Sequence, residues 1–345
     1  MSLTLAITNL IEDHTFILGR YHKPKRLREP NDNHLSLVFS AYDQKTDKQV
    51  VLKFLHPRLE SDYARKAFYR EAQLLFELHD LACVVPLIES CQYLDLCLSN
   101  SEGQHTSTKL IFHVTQQAQS DLTSYINSAQ DDALETLDLF WQLCSAIRQL
   151  HHRGICHRDL KTCNCVLFPE QQLRLIDFAY SHKIGSARLV QGAEFAARYA
   201  IPQIDLHYAA PELHCGFGQD PQFYFGADFF SLGAILFELL TKQKLISFLY
   251  NNEFMADVGE LFYKFVDDTK RETNYRKIIH LLKHKYPLPD LHEFVTDTWL
   301  PYTPHLNKLY QGLADLDYAS RCTDFIWISS QIAAARQQII LGLPH

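Results

Sequence analysis

Between Ile155 and Phe168 the chain reads ICHRDLKTCNCVLF. His157, Arg158, Asp159, Lys161 and Asn164 stand within one run of eight residues, and apolar residues flank them on both sides. Polar groups of that strength are costly to bury together unless they face a ligand or a metal. Any fold for this chain must hold such a loop between apolar elements, and the rest of the sequence has to supply what the loop faces.

A chain of 345 residues can form one large domain or two smaller ones, each with a substantial core. With 47% apolar and 21% charged residues, the composition is that of an ordinary soluble globular protein. A formal net charge of -7 gives no general reason to expect nucleic acid or an anionic membrane as partner, and neither is expected. Nine cysteines, an odd number scattered through segments such as DLFWQLCSAI, point to reduced thiols and a cytoplasmic setting. Cys163 and Cys165 bracket Asn164, which is not zinc-knuckle spacing, and they read as small buried hydrophobes. The opening MSLTLAITNLIEDH lacks the basic stretch and cleavage site of a signal peptide. The longest apolar run, FFSLGAILFELL, is too short to span a bilayer and reads as a buried helix.

The first third is strand-rich. HLSLVFSAYD and KQVVLKFL are short β-type runs across the turn-like DQKTDK. SDYARKAFYREAQLLFELHD follows with helical spacing and Ser61 as its N-cap. VVPLIESCQYL and KLIFHVT read as further strands. From Leu122 the pattern turns mostly helical, and LETLDLFWQLCSAIRQLHHRG predicts a long amphipathic helix stopped at Gly154. CVLF and RLIDF then predict two short strands across PEQQ. A small β-rich part followed by a larger helical one is an α+β arrangement.

A phosphoryl-transfer site needs a carboxylate for the acceptor hydroxyl, oxygen ligands for a metal on the polyphosphate, and positive charge against the developing negative charge. Asp159, Lys161, Asn164 and Asp177 can supply those groups if the loop and the following hairpin converge. At these residues the sequence resembles the eukaryotic-type protein kinases. HRDLKTCN matches their catalytic loop at every defining position, and Lys161, two residues after Asp159, resembles the Ser/Thr branch.

The resemblance extends over nearly the whole chain. VVLKF resembles the strand with the ATP-contacting lysine, here Lys53, and REAQLLFELHD the helix whose glutamate, here Glu71, pairs with it. RLIDFA stands where the family has its metal-binding Asp-Phe-Gly, giving Asp177, with Asn164 as the other metal ligand. AAPEL matches the end of the activation segment, and GADFFSLGAILFELL the central helix, with Asp228 steadying the catalytic loop. LDYASRCTDF resembles the late segment whose arginine, Arg321, pairs with Glu212. Val38 matches the valine above adenine; HVTQQAQSDL resembles the link between lobes, with Thr115 behind the adenine and backbone groups of Gln116 and Ala118 facing it. Asp121 reads as a cap on the next helix, or as a ribose contact. Taken singly, Lys53, Glu71, Asn164 or Asp177 reads as well as an ordinary strand, helix or turn residue; taken together and in order they do not.

The resemblance implies a bilobal, protein-kinase-like α+β fold, one domain over residues 1–345, with an N-lobe at 1–115, a hinge at 116–118 and a C-lobe at 119–345. It implies ATP and Mg²⁺, a protein substrate, Asp159 as catalytic base and Lys161 on the transferring phosphate, with His157 and Arg158 supporting the loop. The oligomeric state is open.

Three departures bear on activity. LGRYHKPKRLREPNDNHLSLV keeps Gly19 but reaches Val38 with no further glycine, and carries Arg20, Lys23, Lys25, Arg26 and Arg28. These cations read as a solvated, mobile loop, or as a side-chain substitute for the amides that cover the phosphates. Ala179 follows Asp177-Phe178, and a left-handed backbone there would cost about 1–2 kcal/mol. Residues 177–212 contain no threonine; Asp205 stands where a threonine is usual, while Ser181, Ser186, Tyr199 and Tyr208 remain. Asp205 or Glu194 is a candidate fixed anion for Arg158. An active Ser/Thr kinase is the leading expectation, a pseudokinase scaffold the alternative, and a small-molecule or lipid kinase a third. The charged DDTKRETNYRKIIHLLKHKY predicts a helix packed on the large lobe, with docking of a partner or substrate as the other reading.

Overall fold

The structure is a computed structural model, and it describes residues 3–29, 36–57, 62–99, 105–128, 132–186, 205, 207–214, 221–249, 253–254, 256–257, 260 and 271–342. The chain divides into two compact units, Met1–Ala118 and Gln119–His345. The first is β-rich and the second mostly helical, as the α+β reading expects.

Unit one is built on alternation. In β4 (Lys48–Leu55) Val50, Leu52 and Phe54 are buried on one face while Val51 and Lys53 point to the other. The antiparallel sheet runs β1-β2-β3-β4-β6-β5, with β1 Phe16–Ile17, β2 Tyr21–Arg26, β3 Ser36–Asp43, β5 Leu87–Ser99 and β6 His105–Gln116. One face packs Phe39, Phe54, Phe112 and Val114 with Ile7 and Ile11 of a helix that the strand-rich reading of this region missed, α1 (Leu3–Asp13). Its buried residues Thr4, Ile7, Thr8 and Ile11 recur at helical spacing. The other face packs Leu55 and Ile111 against Ala64 and Phe68 of α2 (Asp62–Glu77). The expected cap Ser61 lies outside the described residues.

The basic stretch runs largely through β2 and is not a mobile loop; its arginines are held by other groups, while Lys23 and Lys25 stay exposed. Gly19, at φ +64°, turns the chain between β1 and β2. Arg20 grips the buried Asp43 through both oxygens (Nε–Oδ1 2.6 Å, Nη2–Oδ2 2.7 Å) and also reaches Glu89. Arg26 pairs with Glu12 of α1 and bonds Asn9, and Arg28 donates to the Ser36 carbonyl. A bidentate arginine–carboxylate contact satisfies both partners at once, which is why these acids and not solvent take the charge. Asn31 and Asn33, which stand where the resemblance expects glycines, lie outside the described residues.

In unit two, α3 (Leu122–Ile126) is capped by Asp121, whose side chain accepts from the Ser124 amide, so the cap reading of Asp121 holds. α4 (Ala133–His152) is capped by Asp132, and Gly154 at φ +69° turns the chain out of it. β7 (Ser120–Asp121), β9 (Cys165–Phe168) and β10 (Gln172–Leu175) form one small sheet; β8 (Ile155–Cys156) pairs with β11 (His182–Lys183). The strand expected over RLIDF ends at Leu175, which leaves Asp177 and Phe178 outside it. Then come α5 (Pro211–His214), α6 (Pro221–Thr241), α7 (Ile246–Leu249), α8 (Arg271–Lys285), α9 (Thr303–Leu313) and α10 (Phe325–Leu341). α6 is buried along most of its length, as its apolar sequence requires. A methyl on Gly233 would stand 2.7 Å from the Ala314 amide nitrogen, so only glycine permits this approach. Among the described residues no helix is long and apolar enough to cross a membrane.

Arg20→Ala is predicted to destabilise the protein by about 2–3 kcal/mol at neutral pH, somewhat under the cost of breaking a fully buried pair. The Arg20 guanidinium holds the Asp43 carboxyl well below the usual carboxylate range. That stabilisation is complete above the unfolded value of about 3.9 and is lost as pH falls toward the native value. The gap between wild type and variant in chemical denaturation should therefore narrow below about pH 4.

Candidate active site

In unit two the polar loop is hung from one carboxylate. Asp228, fully buried in α6, accepts from the His157 amide (2.8 Å) through Oδ2 and from the Arg158 amide (2.8 Å) through Oδ1. His151 Nε2 lies 2.9 Å from the same Oδ2. Burial pushes the Asp228 carboxyl up, and the bonds from His151 and the Arg158 amide outweigh it, so the group sits below its ordinary value. With its amide fixed, Arg158 adopts φ +67°, a left-handed conformation that a non-glycine residue accepts only when neighbours enforce it. His157 is held from three other sides: Nε2 lies 3.0 Å from the Ile176 carbonyl, its own carbonyl accepts from Ser181 Oγ, and its ring packs on Phe178.

This scaffold presents Asp159, Lys161 and Asn164 together. Lys161 Nζ lies 3.0 Å from Asp159 Oδ2, and the Asp205 amide donates to Oδ1 at 3.2 Å. Asn164 Nδ2 donates to the Asp159 carbonyl at 2.8 Å and lies 3.3 Å from Oδ2. Burial raises the Asp159 carboxyl; Lys161 opposes that, and the charge of Asp177 adds to it. Burial lowers Lys161, and the contact with Asp159 more than reverses it.

Asp177 stands half-buried just after β10, where the Ile176 amide donates to the Asn164 carbonyl at 3.0 Å. The left-handed conformation falls on Asp177 itself (φ +65°), and Ala179 has none. The cost set against Ala179 is therefore not incurred, and aspartate tolerates this region better than most residues.

Of the two anions expected to face Arg158, one has another partner and the other is not described. The Asp205 carboxylate accepts from the His207 amide and contacts its ring (3.0 and 2.6 Å), not Arg158; Glu194 lies outside the described residues. Of the hydroxyls in residues 177–212, Ser181 is buried and Tyr208 is 4% exposed, Tyr180 is half-buried, Ser186 is exposed, and Tyr199 lies outside the described residues. Glu212 and Arg321 form a bidentate pair (2.5 and 3.1 Å) with both side chains out of solvent, and Arg321 Nη1 also donates to the Gly226 carbonyl.

A polar chain that motif reading did not supply runs beneath the loop. Thr123 Oγ1 donates to Thr162 Oγ1 (2.8 Å), which lies 3.0 Å from the Tyr208 hydroxyl, and Tyr208 donates to Glu238 (2.5 Å). His151 was missed as well. Its signal was its position four residues after the buried Ile147, a polar side chain on the core face of α4.

In unit one Lys53 Nζ lies 2.7 Å from each oxygen of the buried Glu71. Val38 stands opposite Lys53 in the β3–β4 register. The Gln116 amide donates to the Pro86 carbonyl and the Gln117 amide to the Gln49 carbonyl. Among the described residues the Ala118 amide has no backbone partner, and Thr115 is nearly buried on β6.

The protein kinase domain profile matches residues 34–335. The chain belongs to the protein kinase domain family. It is 27% identical over 225 residues to cyclin-dependent kinase G-2 of Oryza sativa subsp. indica, covering 65% of this chain and 28% of that protein. It is 30% identical over 270 residues to testis-specific serine/threonine-protein kinase 1 of Mus musculus, covering 70% and 67%. The chain thus spans under a third of the rice protein's length. The donors present fit the kinase metal. Asn164 spends its Nδ2 on Asp159, while its Oδ1 meets, among the described residues, only the weak Cys163 thiol donor at 3.9 Å, and the Asp177 charge acts on the Asp159 carboxyl. Magnesium is held by one or two carboxylates with phosphate and water, and among the described residues no cluster of three or more metal-binding side chains occurs.

Tyr208→Phe should leave the Glu238 carboxyl buried without its donor and cost about 1–3 kcal/mol in denaturant melts. Phosphate on Tyr208 should be absent from the folded protein by mass spectrometry, because the hydroxyl is enclosed.

Proposed function

We propose that this chain is a protein serine/threonine kinase that transfers the γ-phosphate of ATP to a protein hydroxyl. One observation carries the reading: Asp159, Lys161 and Asn164 are bonded to one another on a loop whose backbone a buried aspartate fixes. Asp159 orients the acceptor hydroxyl and takes its proton, and burial, which raises its carboxyl, makes it the better proton acceptor. Lys161, carried on the same carboxylate, is the cation for the transferring phosphoryl oxygens. Asn164 and Asp177 would hold Mg²⁺, which supplies charge neutralisation on the phosphates when bound. Lys53, aligned by both oxygens of Glu71, contacts the ATP phosphates, with Val38 and the 116–118 segment at the adenine.

The pseudokinase alternative gains one specific support. The glycine-poor stretch adds no free arginines to the phosphates, since Arg20 and Arg26 pair with acids. Weaker nucleotide binding follows from that, not loss of the chemical step, because the chain keeps Lys53, Asp159, Lys161, Asn164 and Asp177. A small-molecule or lipid kinase is disfavoured by the Glu212–Arg321 pair beside AAPEL, which resembles the protein-docking half of the family.

Labelled ATP with Mg²⁺ and a generic basic protein substrate tests the reading. Wild type should transfer phosphate to serine or threonine, and Asp159→Asn should reduce turnover by roughly 10²–10⁴-fold with nucleotide binding retained. Wild type without transfer, but still binding nucleotide, would contradict the kinase reading in favour of the scaffold.

A further inference from the structure

α8 carries two kinds of face. Tyr275, Ile279, Leu282 and Tyr286 recur at helical spacing and are buried. Thr273, Arg276, Lys277, His280 and Leu281 form a second stripe at i, i+3, i+4, i+7 and i+8, and with Asp317 they line an open cavity of about 630 Å³.

The cations of this helix are treated unequally. Lys283 pairs with Asp315 and Lys285 with Asp257. Arg276 and Lys277, the two that line the cavity, form no ion pair among the described residues; Arg276 lies only over the Tyr318 ring, 6.0 Å from its centroid. The one carboxylate in the lining is turned to its own loop, where Asp317 accepts from the Ala319 amide and from Ser320 Oγ. The cavity is therefore a concave patch lined by two cations that form no ion pair among the described residues, the Asp317 carboxylate, a hydroxyl, an imidazole and an apolar rim residue, Leu281, that is 66% exposed.

We propose that this cavity is a docking site for a phosphorylated segment of a protein partner. A phosphate presents three acceptor oxygens and about two negative charges. The Arg276 fork and the Lys277 point charge can share them, with Thr273 and His280 as further polar contacts. The volume lies within the range of small-ligand clefts, enough for one phosphorylated side chain and its neighbours. Leu281 gives an adjacent apolar contact that a peptide can use and a bare ion cannot. Two cations beside one carboxylate over one cavity suit one phosphate, not a polyanion track, and the net charge of -7 agrees. The proposal concerns binding alone, so it stands or falls independently of phosphotransfer.

The test uses the full chain carrying Asp159→Asn, without ATP. Fluorescence anisotropy follows two labelled degenerate peptide libraries of about ten residues, one with a fixed central phosphoserine and the other with serine, the length set by the cavity. The phosphoserine library should bind, with affinity falling as salt rises, and the serine library should bind at least about tenfold more weakly. Arg276→Ala/Lys277→Ala should lose roughly 10–100-fold while melting at the wild-type temperature. Lys285→Ala, which removes a paired charge from the same helix, should bind as before. Equal binding of both libraries, no binding by either, or full binding by the double variant would overturn the proposal. So would inorganic phosphate competing as well as the peptide, or a single-stranded oligonucleotide binding as tightly.

Discussion

The polar loop of unit two depends on one buried carboxylate. Asp228 is taken out of water in the middle of an apolar helix, and its two oxygens are filled by two backbone amides and one imidazole nitrogen. Each amide lies in a segment that no sheet or helix ladder could satisfy, so removing the acceptor would leave buried donors at about 1–3 kcal/mol each. This contact joins α4, α6 and the residues just before Asp159, and it enforces the left-handed backbone at Arg158. The chemistry of the site is thus set by a residue that touches no reactant.

Unit one obeys the same electrostatic rule with different ends. Asp43 is satisfied by Arg20, the Lys45 amide and Thr46, and the result is a closed structural pair. Lys53 and Glu71 are joined just as tightly, through both oxygens of the buried acid, and the lysine side chain is 15% exposed against 17% for Arg20. A buried acid needs a cation in either case.

Much of this was legible in the sequence because the motif residues are polar side chains with fixed chemical duties. Asp159, Lys161 and Asn164 are adjacent in sequence, and a loop that brings them together needs no long-range information. The Glu212–Arg321 pair was reached through family resemblance, since nothing local in either segment names the other. The failures share a physical cause. Arg20 and Arg26 looked solvated because their partners, Asp43, Glu89 and Glu12, come from three separate segments that only the sheet and α1 assemble. The backbone angle placed at Ala179 belongs to Asp177, which follows the Ile176–Asn164 bond just beyond β10, a position that no motif spacing marks. Thr162, Tyr208 and Glu238 carry no motif, and their connection exists only once α5 and α6 are packed.

The central claim, that Asp228 holds the loop in its working geometry, is tested most directly by native-state hydrogen exchange at the His157 and Arg158 amides. Asp228→Asn keeps the size of the side chain but offers one accepting oxygen where two are used. The account predicts that at least one of these two amides loses protection while the amides of α4 and α6 keep theirs. Unchanged protection at both amides would contradict it.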